Sequence, residues 1–435
     1  MTRFARDLLR DTRGNVLMLT GLAVIPLVAA TGMGIDYSRA ARLQTKLNAA
    51  ADAAALAAVS QPMMVKTDDE ANSFATFIFN QQAGADHDAS YNAANLTITI
   101  THTGAVSSNR IATVTYTADS HNFFGNFVGT PTTTVGGTSQ ANATRAPNID
   151  FYMMLDTSPS MALPATSAGI TQMVSATGGC AFACHQTTLN ADYLVDGSGN
   201  RISYYTYAKT HNISLRTDLV PTAVSDLTQV AKDAAINNHA NYRMALANFD
   251  YKYNNIVGVP SDLDFVKTKV PNATLLPYCQ NNQRICGTGD NDTATDYTTA
   301  LGGALLGLPG TAGNGTNDVG DTPQAILFLI TDGMRDENSG GRKMGPMPTA
   351  QCTTVKNRGV RIAILYTRYL PESASDSWSQ TNVRAPFLDP ADKITPALTD
   401  CASPGLLYTV STDGDISAAL AALFRQAIAT AHLLK

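Results

Sequence analysis

The chain has 435 residues, too many for one ordinary domain, so two or three are expected. Hydrophobic residues make up 44% and charged residues 15%, which excludes a multi-span membrane protein and is low in charge for a wholly soluble one. With 35 acidic against 30 basic side chains the net charge is -5, so no basic field attracts nucleic acid.

Residues 16–35, VLMLTGLAVIPLVAATGMGI, hold no charged side chain. A helix of about twenty residues spans about 30 Å, the hydrocarbon thickness of a bilayer, and tolerates Pro26 there. Arg3, Arg6, Arg10 and Arg13 precede it, diluted by Asp7 and Asp11. Arginine on that flank predicts a cytoplasmic tail over 1–15, a single transmembrane helix over 16–35, and the bulk of the chain outside. A cleaved secretory signal is the alternative, with Ala29-Ala30 as the small-residue site. Cleavage at Gly14, as in type IV pilins, is disfavoured because Leu19 stands where that chemistry usually wants a glutamate. Uncleaved anchoring is expected.

From residue 36 to about 59 the run DYSRAARLQTKLNAAADAAALAAV is rich in helix formers and lacks Gly and Pro, so the helix continues as a stalk until Gln61-Pro62. A second helix is predicted over 68–82. Period-two alternation predicts strands over 95–102 and 110–118, with a third near 132–145. Residues 36–145 thus form a stalk helix and a small α+β unit, with no cluster that looks catalytic.

At about Ala146-Pro147 the pattern changes. Short apolar runs at 149–155, 242–249, 325–331, 361–367 and 406–410 alternate with helical stretches near 217–235, 298–308, 347–358, 391–400 and 414–431. Buried strands separated by helices predict an α/β domain over 146–435 with a doubly wound, mostly parallel sheet. The segment 162–215 is too long for a simple connection and reads as an insertion. The six cysteines, Cys180, Cys184, Cys279, Cys286, Cys352 and Cys401, all lie in this exported part, as disulfide candidates in an oxidising compartment. Proximity favours 180–184, 279–286 and 352–401, although six cysteines leave about 15 connectivities open.

Ligands of open α/β sheets sit beyond the carboxyl ends of the strands. Two such ends are rich in oxygen. The strand IDFYMML breaks into Asp156-Thr157-Ser158-Pro159-Ser160, and AILFLIT delivers Asp332-Gly333. Alternating Asp156, Ser158 and Ser160 can be aimed at one point by a tight turn. Such oxygens suit a hard divalent cation, Mg²⁺ above all, with Ca²⁺ or Mn²⁺ also possible. Asp-x-Ser-x-Ser alone is also a common turn or cap pattern.

The run DTSPSM after an apolar strand resembles the D-x-S-x-S motif of von Willebrand factor A domains, where it forms a metal-ion-dependent adhesion site. ITDG resembles that family's aspartate motif, giving Asp332. TTALGGAL resembles its threonine loop, giving Thr299 with Thr298 as the alternative. The resemblance implies a Rossmann-like fold and a cation with one position open for an acidic residue of a protein partner. The N-terminal run from RGNVLML to AADAAALAA resembles a second family, the TadG-like proteins of tight-adherence (Flp) pilus assembly. It implies a single-pass protein of the bacterial inner membrane that works with other pilus-assembly proteins, its C-terminal bulk periplasmic or extracellular.

Competing chemistries find no support. Cys180-x-x-x-Cys184-His185 is one residue too long for c-type haem attachment, and the histidines lack zinc spacing. No P-loop or nucleophile elbow occurs. Asp290, Asp292 and Asp296 lack the glycine and terminal glutamate of a calcium loop and read as a solvated loop. Asp413 and Asp415 read as charges before the last helix. No general base stands beside the proposed metal, so an enzyme is not expected. The expected function is metal-dependent protein binding in pilus assembly. The alternative is a minor structural pilus component whose A-type domain is a metal-free spacer.

Overall fold

The computed structural model describes residues 14–64, 66–84, 89–90, 95–102, 109–144, 146–189, 192–279, 283–288, 293–316 and 320–430. The four N-terminal arginines, and Asp290 and Asp292, lie outside the described residues. The chain divides into two compact units, Met1–Arg145 and Ala146–Lys435.

In the first unit one helix, α1, runs unbroken over Gly14–Ala58, with Pro26 inside it. Its two halves differ. Met18, Leu19, Leu22, Ile25 and Leu27 are all exposed, whereas Ala40, Leu43, Leu47, Ala50, Ala54 and Ala58 are buried. The second set recurs every three or four residues, which puts it on one helix face. That face packs with α2 (Asp68–Ala83) and an antiparallel sheet of β1 (Leu96–His102), β2 (Asn109–His121) and β3 (Thr132–Thr144), the last two paired along their whole length. Small alanines allow close approach, and Phe79 and Tyr116 fill the space beyond them. Thr67 starts α2 with a reciprocal capping box to Glu70. The apolar half of α1 is long and hydrophobic enough to cross a membrane.

The second unit is built on a six-stranded sheet. In chain order its strands are β4 (Ile149–Asp156), β5 (Tyr242–Phe249), β6 (Tyr253–Ser261), β7 (Gln324–Thr331), then β8 and β9 of a separate hairpin (Met334–Asn338, Arg342–Pro346), β10 (Arg361–Thr367) and β11 (Leu407–Val410). The spatial order is β11-β10-β7-β4-β5-β6, parallel throughout except for the edge strand β6. Nearly every residue of β4, β7 and β10 is buried, because helices cover both faces. Phe151, Met153, Leu155, Ile326 and Phe328 pack under α4 (Arg216–Asn238) and the C-terminal helix Ile416–Thr430. Met154, Leu327, Leu329, Ile362 and Ile364 face the opposite layer, with Leu301 of Tyr297–Gly307, Val355 of Ala350–Asn357 and Leu398 of Ile394–Cys401. This is the doubly wound α/β arrangement expected from the alternating pattern.

Residues 162–215 contain α3 (Ser167–Thr177), a hairpin of Tyr193–Val195 with Arg201–Ser203, and a helix over Tyr204–Thr210. Cys279 is bonded to Cys286 and Cys352 to Cys401. Cys180 and Cys184 remain thiols, with the Cys180 Sγ–H donating to the Phe182 carbonyl at 3.7 Å, so the third expected bridge is not formed.

Candidate metal centre

Strand order reverses between β4 and β7, since the chain proceeds outward from β4 on one side and from β7 on the other. At such a switch point the two departing loops leave a crevice beyond the strand ends. Leu155 pairs with Ile330 across the two strands, which sets Asp156 and Thr331 side by side at the rim.

After Asp156 the backbone turns, with Ser158 extended and residues Pro159–Ala162 forming one 3₁₀ turn. Asp156 Oδ1 accepts from the backbone N–H of Ser158 at 2.9 Å and from its hydroxyl at 2.5 Å. The Ser158 and Ser160 hydroxyls lie 3.0 Å apart. A serine has one proton to donate, so with Asp156 ionised Ser160 donates to Ser158. Asp156 Oδ2 accepts from the Thr331 hydroxyl at 2.6 Å, and that hydroxyl bonds in turn to the Tyr297 hydroxyl and the Gly333 N–H.

Asp332 follows β7 directly. Gly333 takes φ +77°, and a Cβ there would meet Ile394 at 2.6 Å, so this turn requires glycine. Asp332 Oδ1 accepts from the Met334 N–H at 3.1 Å. Oδ2 is buried with no partner in hydrogen-bonding geometry. A fully buried carboxylate oxygen without a donor is costly unless a ligand completes it. Asp156, Ser158, Ser160 and Asp332 thus bring two carboxylates and two hydroxyls together at the crevice, an all-oxygen set of the kind that suits a hard divalent cation.

Thr299 and Thr298 do not join this group. Both are exposed. The Thr299 hydroxyl donates to Asp296, which caps its helix, and Thr298 bonds to Glu337. Spacing alone selected them, but helix phase turns them to solvent and turns Tyr297 inward, so the hydroxyl that reaches the network from this loop is the tyrosine's. Asp413 is also placed differently from expectation: it receives the N–H and hydroxyl of Ser167 at the start of α3, while Asp415 caps the last helix.

Burial raises the pKa of Asp156 to about 7, with the neighbouring Asp332 charge adding to it. Burial also raises Asp332, opposed by the positive charge of Arg216. That arginine begins α4, is 4% exposed, and donates one guanidinium nitrogen to the Arg368 carbonyl, leaving Nη1 without a partner. Thr331 pairs with Tyr366 across β7 and β10, so Arg368 lies beside the Asp332 turn. No sequence signal marked Arg216, because a lone arginine before an amphipathic helix reads as a solvated charge. Thr331 ends the run AILFLIT and Tyr297 stands one residue before TTALGGAL, and neither carries a signal of its own in the sequence.

Beside Ser160 opens a cavity of about 750 Å³, lined by Cys184, His185, Tyr369 and Trp378 among others. Burial lowers the His185 pKa to about 4 and keeps its ring neutral.

Among solved structures, the chain is similar to the PilB minor pilin from Streptococcus sanguinis at 12% identity, over 78% of this chain and 79% of that one, with a TM-score of 0.32. It is similar to BatB from Bacteroides thetaiotaomicron at 13% identity, over 65% and 100%, with a TM-score of 0.32. The vWF domain of the type V pili tip protein Mfa5 from Porphyromonas gingivalis matches at 10% identity, over 65% and 97%, with a TM-score of 0.31. No curated protein matches the sequence. Residues 14–61, which include the whole of α1 with its exposed and buried halves, match the family model for putative Flp pilus-assembly TadE/G-like proteins.

Proposed function

We propose that the protein is a membrane-anchored component of Flp pilus assembly that binds a protein partner through a divalent cation, Mg²⁺ first, held by Asp156, Ser158, Ser160 and Asp332. The observation that carries this reading is the buried, unpartnered Oδ2 of Asp332 facing the hydroxyl turn of Asp156. When bound, the cation supplies a Lewis-acidic position for a carboxylate oxygen of the partner. Asp156 and Asp332 neutralise it, and the two serine hydroxyls act as neutral ligands. Tyr297, through Thr331, fixes the Asp156 carboxylate in orientation. The adjoining cavity gives room for the residues around the partner's acidic side chain. The segment 16–35 holds the chain in the inner membrane, with the second unit exported.

Calorimetric titration of Mg²⁺, Ca²⁺ and Mn²⁺ into the detergent-solubilised full chain tests the reading. Saturable binding lost in Asp156→Ala supports it, and its absence from folded wild type overturns it. One observation favours a second reading, a minor structural pilus component with a metal-free spacer. Arg216 already brings a positive charge to Asp332, so the site can be neutralised without a metal. Crosslinking of the protein into purified pili distinguishes that role.

A further inference from the structure

The loop 122–130 between β2 and β3 carries three large apolar side chains into solvent: Phe123 is 68% exposed, Phe127 86% and Val128 63%. The same loop is tied to α1 by backbone hydrogen bonds. Asp36 of α1 is 4% exposed. Its Oδ1 accepts the Phe123 N–H at 2.8 Å, and its Oδ2 accepts those of Phe124 and Gly125 at 2.9 and 2.7 Å. One turn back along the helix, Phe124 lies on Gly32, where a Cβ would meet the ring at 2.4 Å.

These contacts fix the loop's depth. Asp36 is the first residue after the apolar span, and Gly32 lies inside it. Four residues of helix are about 6 Å, so the loop overlaps the last turn of the membrane segment. Tyr37, 74% exposed, and the exposed Arg42 follow on the same helix. Aromatic side chains with a basic residue beyond them are the composition of a membrane interface. The Asp36 carboxylate is satisfied by three backbone donors of the loop rather than left to solvent.

We propose that the loop 123–128 docks into the headgroup–acyl boundary beside the end of α1, making a second membrane contact for the first unit. The occupant of this surface is the bilayer itself, because the loop is continuous with the span that enters it. Phe127 and Val128 insert as apolar anchors, and Asp36 with Gly32 locks them at that depth.

The test uses the full chain reconstituted in phosphatidylcholine–phosphatidylglycerol vesicles. The chain has one tryptophan, so Trp378→Phe gives a silent background for Phe127→Trp or, should that variant misfold, Phe123→Trp. Leu22→Trp reports the span. The expected result is blue-shifted Phe127→Trp emission, quenched at least twofold by lipids brominated near the headgroup and less by lipids brominated deep in the chain. Leu22→Trp should show the reverse order. Adding Asp36→Ala should reduce the shallow quenching. Quenching of Leu22→Trp without any of Phe127→Trp overturns the proposal, and a blue shift without lipid quenching assigns the loop to a second copy instead. Failure of both reporters to quench would remove the anchor as well. None of these outcomes bears on cation binding.

Discussion

Asp36 and Asp332 are both buried aspartates at the end of an apolar run, yet their surroundings differ in one decisive respect. Asp36 receives three backbone N–H groups, and these, with Arg39, lower its pKa against the desolvation that would raise it. Asp332 receives one, and burial raises its pKa despite Arg216. A carboxylate whose lone pairs are filled by backbone is a clasp. One left with an empty oxygen beside two hydroxyls is poised for a ligand. The number of donors, rather than the residue type or its burial, separates the structural aspartate from the one proposed to hold a cation.

That contrast breaks most sharply by removing each charge. Asp332→Asn should weaken Mg²⁺ binding by at least the ~100-fold seen when ligand surroundings are disrupted, while leaving the fold intact. Asp36→Asn should leave the cation affinity unchanged. It places an amide N–H against backbone donors, so hydrogen exchange at the amides of 123–125 should accelerate instead. Equal losses of binding in both variants would show that the two carboxylates do not differ in role. Arg216 gives the next largest effect. Its buried charge opposes a second cation in the same low-dielectric crevice, so Arg216→Met should tighten Mg²⁺ by about tenfold, or about 1.4 kcal/mol. Arg216→Lys should stay near wild type. An unchanged affinity in the methionine variant would remove Arg216 from the electrostatics of the site.

Much of this was legible from residues alone, and the parts that were not have common causes. Period-two and continuous apolar runs located β1, β2, β4, β7 and β10, because burial on one or both faces is written into composition. The Asp156 turn and Asp332 were readable because they stand at strand ends, where chain direction alone places a side chain. The threonine was not, since its aim depends on helix phase after Asp296, and one residue turns a helical side chain by about 100°. Arg216 was invisible because its partner carbonyl, that of Arg368, lies just beyond the end of β10, 152 residues further along the chain. The loop at 123–128 reads as an ordinary apolar turn until Asp36 is seen holding it.

The pH dependence of the cation-free protein sharpens the account of Asp156. Its pKa rises from 3.8 unfolded to about 7 folded, so the folded state binds more protons in that window. Its contribution to stability therefore falls as pH rises from about 4 to 7. His185 runs the other way. Its pKa drops from 6.5 to about 4, the folded state binds fewer protons, and its contribution rises between about 4 and 6.5. The two oppose each other over most of the range. Asp156→Asn should expose the rising limb in melting temperature against pH, and His185→Gln the falling one. Saturating Mg²⁺ should abolish the falling limb, because a bound cation holds Asp156 ionised. A His185→Gln curve that still rises across the window would refute the assignment.

The smallest effect expected is at Tyr297, which touches no proposed ligand and acts only through Thr331. Tyr297→Phe keeps the ring packed on Phe249 and removes one hydroxyl, leaving Thr331 its bonds to Asp156 and the Gly333 N–H. The net worth of one such bond is about 0.5–1.5 kcal/mol, so melting temperature should fall by a few degrees. Positioning and stability separate in the cation titration. If the tyrosine merely fills space, affinity should not move. If it orients Asp156, Mg²⁺ should weaken by about two- to tenfold, with the smaller change for Ca²⁺, whose coordination tolerates displaced oxygens. A uniform loss for both ions would assign Tyr297 to the stability of the crevice rather than to the aim of its carboxylate.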